Sequence, residues 1–221
     1  MRTKPVVAID GPSGVGKSTV ARGVASELKY QFIDTGAIYR SVALAARQQQ
    51  IDWHDGPAVA EEAALHHFAF DADGNLLLDG VAVGDLIRTP EMSEGASTVA
   101  KHPEVRDALL DIQRKMGRDG GVVLEGRDIG TVVFPDAESK FFLVASSRER
   151  ARRRFLQLQE KGESVTLEEV EKAQEIRDAR DAGRAVAPLK KADDAEEINC
   201  EKISASEVIT LIVHSVVSRF P

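Results

Sequence analysis

Val6-Val7-Ala8-Ile9-Asp10-Gly11-Pro12-Ser13-Gly14-Val15-Gly16-Lys17-Ser18-Thr19 is the stretch on which the reading of this chain turns. Four consecutive apolar residues closed by a Gly-Pro turn signal predict a short buried strand. From Gly11 to Ser18 the spacing is G-x-x-x-x-G-K-S, the pattern of a phosphate loop. Glycines let such a backbone curl into a nest of N–H groups, and a helix opening near Lys17 adds the positive end of its dipole. Lys17 is placed to bridge β- and γ-phosphates, and the Ser18 hydroxyl to ligate Mg2+ carried by the triphosphate. The candidate triphosphate-binding residues are therefore Gly11, Pro12, Ser13, Gly14, Val15, Gly16, Lys17, Ser18 and Thr19. The sequence places Lys17 at an exposed helix start. A dinucleotide fingerprint is excluded, because Gly14-x-Gly16 is followed by Thr19 where a third glycine is needed.

Outward from the loop, Lys17 to Lys29 reads as a helix with Val20, Val24 and Leu28 on one face. Gln31 to Asp34 reads as a second strand and Ala37 to Gln50 as a second helix. Alternation of this kind implies a parallel sheet with crossover helices. The pattern then changes. Phe68-Ala69-Phe70, Leu76-Leu77-Leu78 and Val81-Ala82-Val83 are separated by Asp73-Gly74-Asn75 and Asp79-Gly80, which favour antiparallel hairpins. Helices are expected over Pro90–Lys101 and Pro103–Met116, each with proline suited to the first turn. Strands follow at Val122–Leu124 and Phe141–Val144, then a helix from Ser147 to about Lys161. Thr166-x-x-Glu169 and Ser204-x-x-Glu207 are capping boxes opening two more helices. The last helix carries Val208, Leu211, Ile212 and Val216 on the face expected to dock on the sheet. The fold class is α/β: an open parallel sheet flanked by helices, with a small inserted antiparallel β subdomain and a helical lid.

Composition sets the outer limits. With 221 residues, 43% hydrophobic and 29% charged, the chain is long enough for a full core and short for two independent domains. One cysteine, Cys200, forbids an intrachain disulfide and suits a reducing, cytoplasmic setting; it is read as a packed thiol. The apolar run after Lys4 is too short for a signal peptide, and Thr210, His214 and Ser215 interrupt the late apolar segment, so no membrane partner is expected. A net charge of −7 argues against general nucleic-acid binding. Yet 8 of the 18 arginines lie between Arg148 and Arg184, which points to local phosphate handling.

The phosphate loop alone does not separate kinases from switch proteins or ATP-driven machines. A guanine-reading N-K-x-D is absent. Asp34-Thr35-Gly36-Ala37-Ile38-Tyr39-Arg40 and Glu125-Gly126-Arg127-Asp128-Ile129-Gly130-Thr131 both follow predicted strands, at the sheet edge where α/β proteins hold ligands. Arg177, Arg180 and Arg184 are spaced to share a helix face with Asp178 and Asp181 between them. Plainer roles exist for several of these. Arg177 and Arg184 can pair with Asp181 on a solvated face, Asp128 can cap a turn, and Arg152-Arg153-Arg154 can be solvated surface. His66 and His67 are read as structural, since neighbouring residues of a strand point to opposite faces.

Taken together, Asp10 to Gly14, Asp34 to Arg40, Gly126 to Pro135 and Arg184-Ala-Val-Ala-Pro-Leu189 resemble the bacterial cytidylate kinases, from end to end of the chain. The resemblance implies one kinase domain over residues 1–221, with an acceptor-binding β insert at about 64–88 and a lid at about 148–167. It implies transfer of the γ-phosphate of ATP to CMP or dCMP with Mg2+, by a monomer. By the same resemblance Arg40 and Arg127 hold the acceptor phosphate, and Ser97, Arg106 and Asp128 face the cytosine. Tyr39, Arg177, Asp181 and Arg184 surround the sugar and the transferring phosphate. Lys17, Arg127, Arg177 and Arg184 are the catalytic candidates. Thr35, also an acceptor-binding candidate by the resemblance, stands where serine is common, preserving a hydroxyl. Glu125 stands where aspartate is common, a candidate magnesium-side carboxylate with direct and water-mediated roles both open. Two other readings stay open: a kinase for UMP or another small acceptor, and a nucleotide-dependent switch without an acceptor. The many arginines outside the loop speak against the switch, which needs about one transition-state arginine.

Overall fold

A computed structural model describes residues 2–160 and 162–220. Strand β1 (Val6–Asp10) leads through the phosphate loop into helix α1 (Lys17–Leu28), and β2 (Gln31–Asp34) leads into α2 (Thr35–Gln48). After α3 (Gly56–Ala64) come three short strands, β3 (Phe68–Phe70), β4 (Leu76–Leu78) and β5 (Val81–Ala82). Helices α4 (Pro90–Val99) and α5 (Pro103–Gly117) return the chain to β6 (Val122–Gly126). Then follow β7 (Ser139–Val144), α6 (Ser147–Glu160), α7 (Leu167–Ala182), β8 (Glu196–Asn199) and α8 (Ala205–Arg219).

Five strands form a wholly parallel sheet in the order β2-β6-β1-β7-β8. Alternation along β1 supplies both faces. Val7 and Ile9 join Val20, Val24, Val208, Ile212 and Val216 under α1 and α8. Val6 and Ala8 join Ile33, Leu124, Ile129 and Phe134 on the other side. Helices α2 to α5 and the insert share a third apolar cluster centred on Ile38, Val42, Met92 and Leu109. The insert is a separate antiparallel sheet in the order β3-β4-β5. Its second turn needs positive φ at both central residues, and Asp79 (51°) and Gly80 (82°) adopt it. Both capping boxes form.

The differences from the sequence reading have local causes. Helix α3 was not anticipated; Asp55 caps it, accepting from the Ala58 N–H at 3.2 Å. Strand β8 was also not anticipated, because Glu196-Glu197-Ile198-Asn199 has one apolar residue and becomes a strand by pairing with β7. Val83 is not in β5; it is buried where a 3₁₀ turn, Gly84–Ile87, begins. Leu211 does not dock: it is 53% exposed, while Val208, Ile212 and Val216 at strict i, i+4 spacing carry the contact. Helix α7 stops at Ala182, so Arg184 lies beyond it and not on the face with Arg177. The expected end of α6 at about Lys161 lies outside the described residues. Among the described residues no helix is long and apolar enough to cross a membrane.

Candidate active site

Register brings the site together. Asp10 pairs with Gly126 and Asp34 with Glu125, so β1, β2 and β6 end side by side at their C-terminal edge. The phosphate loop springs from β1, the central strand of the five, at the edge where open α/β sheets bind ligands. Gly11 has φ of 151° and a Cβ there would lie 2.4 Å from the Leu143 carbonyl oxygen, so no larger residue fits beneath the loop. Ser18 and Thr19 are exposed at the start of α1. Lys17 is not exposed, contrary to the sequence expectation: it is 6% exposed and its Nζ donates to the Pro12 carbonyl at 2.7 Å. Burial and the neighbouring Arg127 push its pKa down. Burial drives Glu125 the other way, toward its neutral form, reinforced by Asp34 and opposed by Lys17 and the Ser18 hydroxyl.

Four arginines converge from four directions. Arg40 reaches back from α2 to Asp34 at 2.8 Å. Arg127, just past β6, donates from Nε to Asp181 Oδ2 at 2.9 Å. Arg184 pairs with the other oxygen of Asp181, a carboxylate that is 1% exposed on α7. The pairing of Arg184 with Asp181 is therefore real, but buried and not on a solvated face. Arg177 has no such partner among the described residues; burial and the charge of Arg127 pull its guanidinium down to about 10. The Nε atoms of Arg40, Arg177 and Arg184 are buried donors with no hydrogen-bond partner among the described residues. Leaving buried donors unsatisfied costs about 1–3 kcal/mol each, more for charged groups, so the arrangement is suited to a multiply charged anion.

Deeper in, Arg106 of α5 and Asp128 form an ion pair, their side chains 7% and 8% exposed. Asp128 does not cap the π-helical turn Ile129–Val133 with its side chain. Arg106 lies 5.6 Å over the Tyr39 ring, and Tyr39 is itself buried. Ser97 of α4 is 3% exposed, with a hydroxyl that has no partner. Thr35 spends its hydroxyl on the Glu125 backbone carbonyl at 2.6 Å, bracing β2 against β6. Arg180 stays apart: it donates to Glu94 of α4 at 2.8 Å.

Several residues that build the site carried no assigned role in the sequence. Asp10 accepts from the Ile129 N–H at 2.9 Å and the Gly130 N–H at 2.8 Å, tying the phosphate-loop strand to the segment after Arg127 and Asp128. Burial raises its carboxyl to about 6, against the pull of those two N–H groups. Asp34 caps α2, accepting from the Ala37 N–H at 2.9 Å. A carboxylate ending a buried strand is the only local signal for either. Within Arg148–Arg154, Arg148 and Arg152 pair with Glu171 and Glu149 at the surface. Arg153 binds the carbonyls of Val15 at 3.1 Å and Cys200 at 2.6 Å. His66, in contact with Glu62 at 2.9 Å and Asp79 at 2.6 Å, ties α3 to the insert. Cys200 is buried, and burial raises its thiol.

Comparison with known proteins identifies the family. The profile of the cytidylate kinase family matches residues 7–218. A cytidylate kinase of Syntrophotalea carbinolica is 47% identical over 99% of this chain and 94% of its own length. One from Geobacter sulfurreducens is 49% identical over 92% of this chain and 89% of its own. Among solved structures, an uncharacterized protein from Eubacterium ventriosum superposes with a TM-score of 0.53 at 12% identity, covering 98% of this chain and 99% of that one, a likeness of fold alone.

Proposed function

The chain belongs to the cytidylate kinase family and is a nucleoside monophosphate kinase that moves phosphate from ATP to CMP; from this we propose that it acts on both CMP and dCMP by direct, Mg2+-assisted transfer. The observation that carries the residue assignments is the convergence of unpartnered guanidinium donors on the phosphate loop, beside the buried Arg106–Asp128 pair.

The attacking group is an oxygen of the acceptor's own phosphate, already ionised, so no side chain need act as nucleophile or base. Catalysis is positioning and neutralisation of charge. Lys17, released from Pro12, meets the β- and γ-phosphates. Arg40 and Arg127 hold the acceptor phosphate, and Arg177 and Arg184 meet the charge between donor and acceptor. Asp181 orients Arg127 and Arg184 through one carboxylate. Ser97, Arg106 and Asp128 read the base, Asp128 accepting from the cytosine amino group, while Tyr39 and Asp181 border the sugar. When bound, Mg2+ neutralises triphosphate charge. The Ser18 hydroxyl and the Glu125 carboxylate, whose buried Oε1 has no partner, fit a hard cation. Among the described residues no cluster of three or more His, Cys, Asp or Glu could hold a metal, so the remaining ligands fall to phosphate oxygens and water. In this reading Thr35 is a brace and not a ligand.

In this reading residues about 64–88 are the acceptor-binding insert and about 148–167 the lid that excludes water, which otherwise competes as acceptor. The single cysteine and the net charge of −7 support a cytoplasmic protein without nucleic-acid partners, and the family resemblance supports a monomer. ADP release measured across CMP, dCMP, UMP and other monophosphates tests the assignment. Strong stimulation by CMP and dCMP with weak response to UMP is expected. Equal response to UMP overturns the base-reading residues.

A further inference from the structure

One carboxylate beside the phosphate loop is left unused by the reaction as described. The Ser13 N–H donates to Asp178 Oδ1 at 3.1 Å. The Ser13 carbonyl accepts from Arg150 Nη1 at 2.8 Å. Arg150 closes the ring by pairing with Asp178 Oδ2, and its Nε donates to the Ala145 carbonyl at 3.1 Å, just past β7. Both backbone polar groups of one loop residue are thereby gripped by one ion pair, whose side chains are 8% and 17% exposed. Gly14 tightens the contact: a Cβ on it would lie 2.5 Å from Gln174 Nε2 and 3.1 Å from the Arg150 carbonyl oxygen.

Gln174, Arg177, Asp178 and Asp181 stand at i, i+3, i+4 and i+7 on α7, a single helical stripe. Gln174 and Asp178 touch the donor loop. Arg177 and Asp181, the latter holding Arg127 and Arg184, face the acceptor side. From Asp178 to Asp181 the helix rises about 4.5 Å, a fixed spacing between the two sides. A negative charge next to a triphosphate loop opposes binding of a polyanion unless it is neutralised, and Arg150 neutralises it.

We propose that Asp178 is a positioning residue: with Arg150 it clamps the Ser13 backbone and sets α7, and hence the transferring arginines, in register with the γ-phosphate. The inference rests on the assignment of Arg177 and Arg184 to that phosphate. A displacement of about 1 Å at such a site can cost a hundredfold in rate. Asp178→Ala is therefore expected to lower kcat with CMP by about 10- to 100-fold, leave the KM for CMP within about threefold, and let ATP be hydrolysed without acceptor, so that more than one ADP forms per CDP. Asp178→Asn keeps an acceptor for the Ser13 N–H but loses the ion pair with Arg150, so it should lower kcat less, by about 3- to 10-fold, with the ADP to CDP ratio still above one; it serves if the alanine variant does not fold.

Val216→Ala supplies the structural control, since Val216 is buried on α8, outside the site, the insert and the lid. It should lower Tm while keeping the ADP to CDP ratio at one. Arg184→Ala separates the two claims. If Asp178→Ala and Asp178→Asn lower Tm alone, with wild-type kcat and ratio, while Arg184→Ala lowers kcat, the clamp is overturned. Unchanged kcat in Arg184→Ala overturns the assignment beneath it.

Discussion

Asp128→Asn keeps the shape of the base-reading group and removes its charge, and the structure gives two magnitudes for the change. The first concerns the fold. Asp128 is the ion partner of Arg106, with both side chains over nine-tenths buried. Removing one member of such a pair outright costs about 3–5 kcal/mol. The amide still offers Arg106 an oxygen, so only the difference between a charged and a neutral acceptor is lost, about 1–2 kcal/mol. For a chain of this size that is a fall in Tm of about 2–8 °C. The second concerns the base. A carboxylate accepts from the C4 amino group of cytosine but faces the O4 of uracil, so the wild-type preference for CMP should be about 10²–10⁴ in kcat/KM. An amide can turn to donate to O4, and the ratio should narrow at least about tenfold, equivalent to about 1.4 kcal/mol. Steady-state assays of both proteins with both monophosphates, beside thermal melts, give every number needed. An unchanged CMP/UMP ratio accompanied by the expected fall in Tm would show that Asp128 supports Arg106 and does not read the base.

Lys17→Ala should melt within a few degrees of wild type, because a buried cation crowded by Arg127 and Arg177 adds little to stability. Its turnover should nonetheless fall by roughly 10²–10⁵, and near-normal kinase activity would remove the phosphate-loop assignment. Arg127→Ala should weaken acceptor binding by about 2–4 kcal/mol with the ATP KM little changed; a loss confined to ATP would put this arginine on the donor side. The Asp10 carboxyl is raised to about 6 by burial, so the folded protein binds its proton more tightly than the unfolded chain does. Its contribution to stability is full below the ordinary carboxyl range and is lost as pH rises to about 6, at most about 3 kcal/mol. Denaturation followed from pH 4 to 7 should show that decline flattened in Asp10→Asn, and equal slopes in the two proteins would refute it.

What the sequence by itself determined is whatever short-range chemistry writes. The Gly11–Ser18 spacing demands a strand before it and a helix after it, and β1 and α1 supply them. The Asp79-Gly80 turn and the boxes at Thr166 and Ser204 close with partners no more than a few residues away. The four signatures of the cytidylate kinase family were legible for the same reason, each being contiguous in the chain. Tertiary structure decided what depends on partners distant in sequence. Glu196–Asn199 is a strand only because β7 offers an open edge. Lys17 is buried because charged side chains from β6 and α7 close over it, which nothing in a glycine-rich turn announces. Asp10 meets Ile129 and Gly130 across 119 and 120 residues, and Arg150 meets Ser13 across 137. A lone charged residue in a sequence reads as solvated surface, since most are. Only the packing of α7 against the loop and β6 takes water away from Asp181, Arg127 and Arg184, and it is this loss of water that turns a run of charges into a site for phosphates.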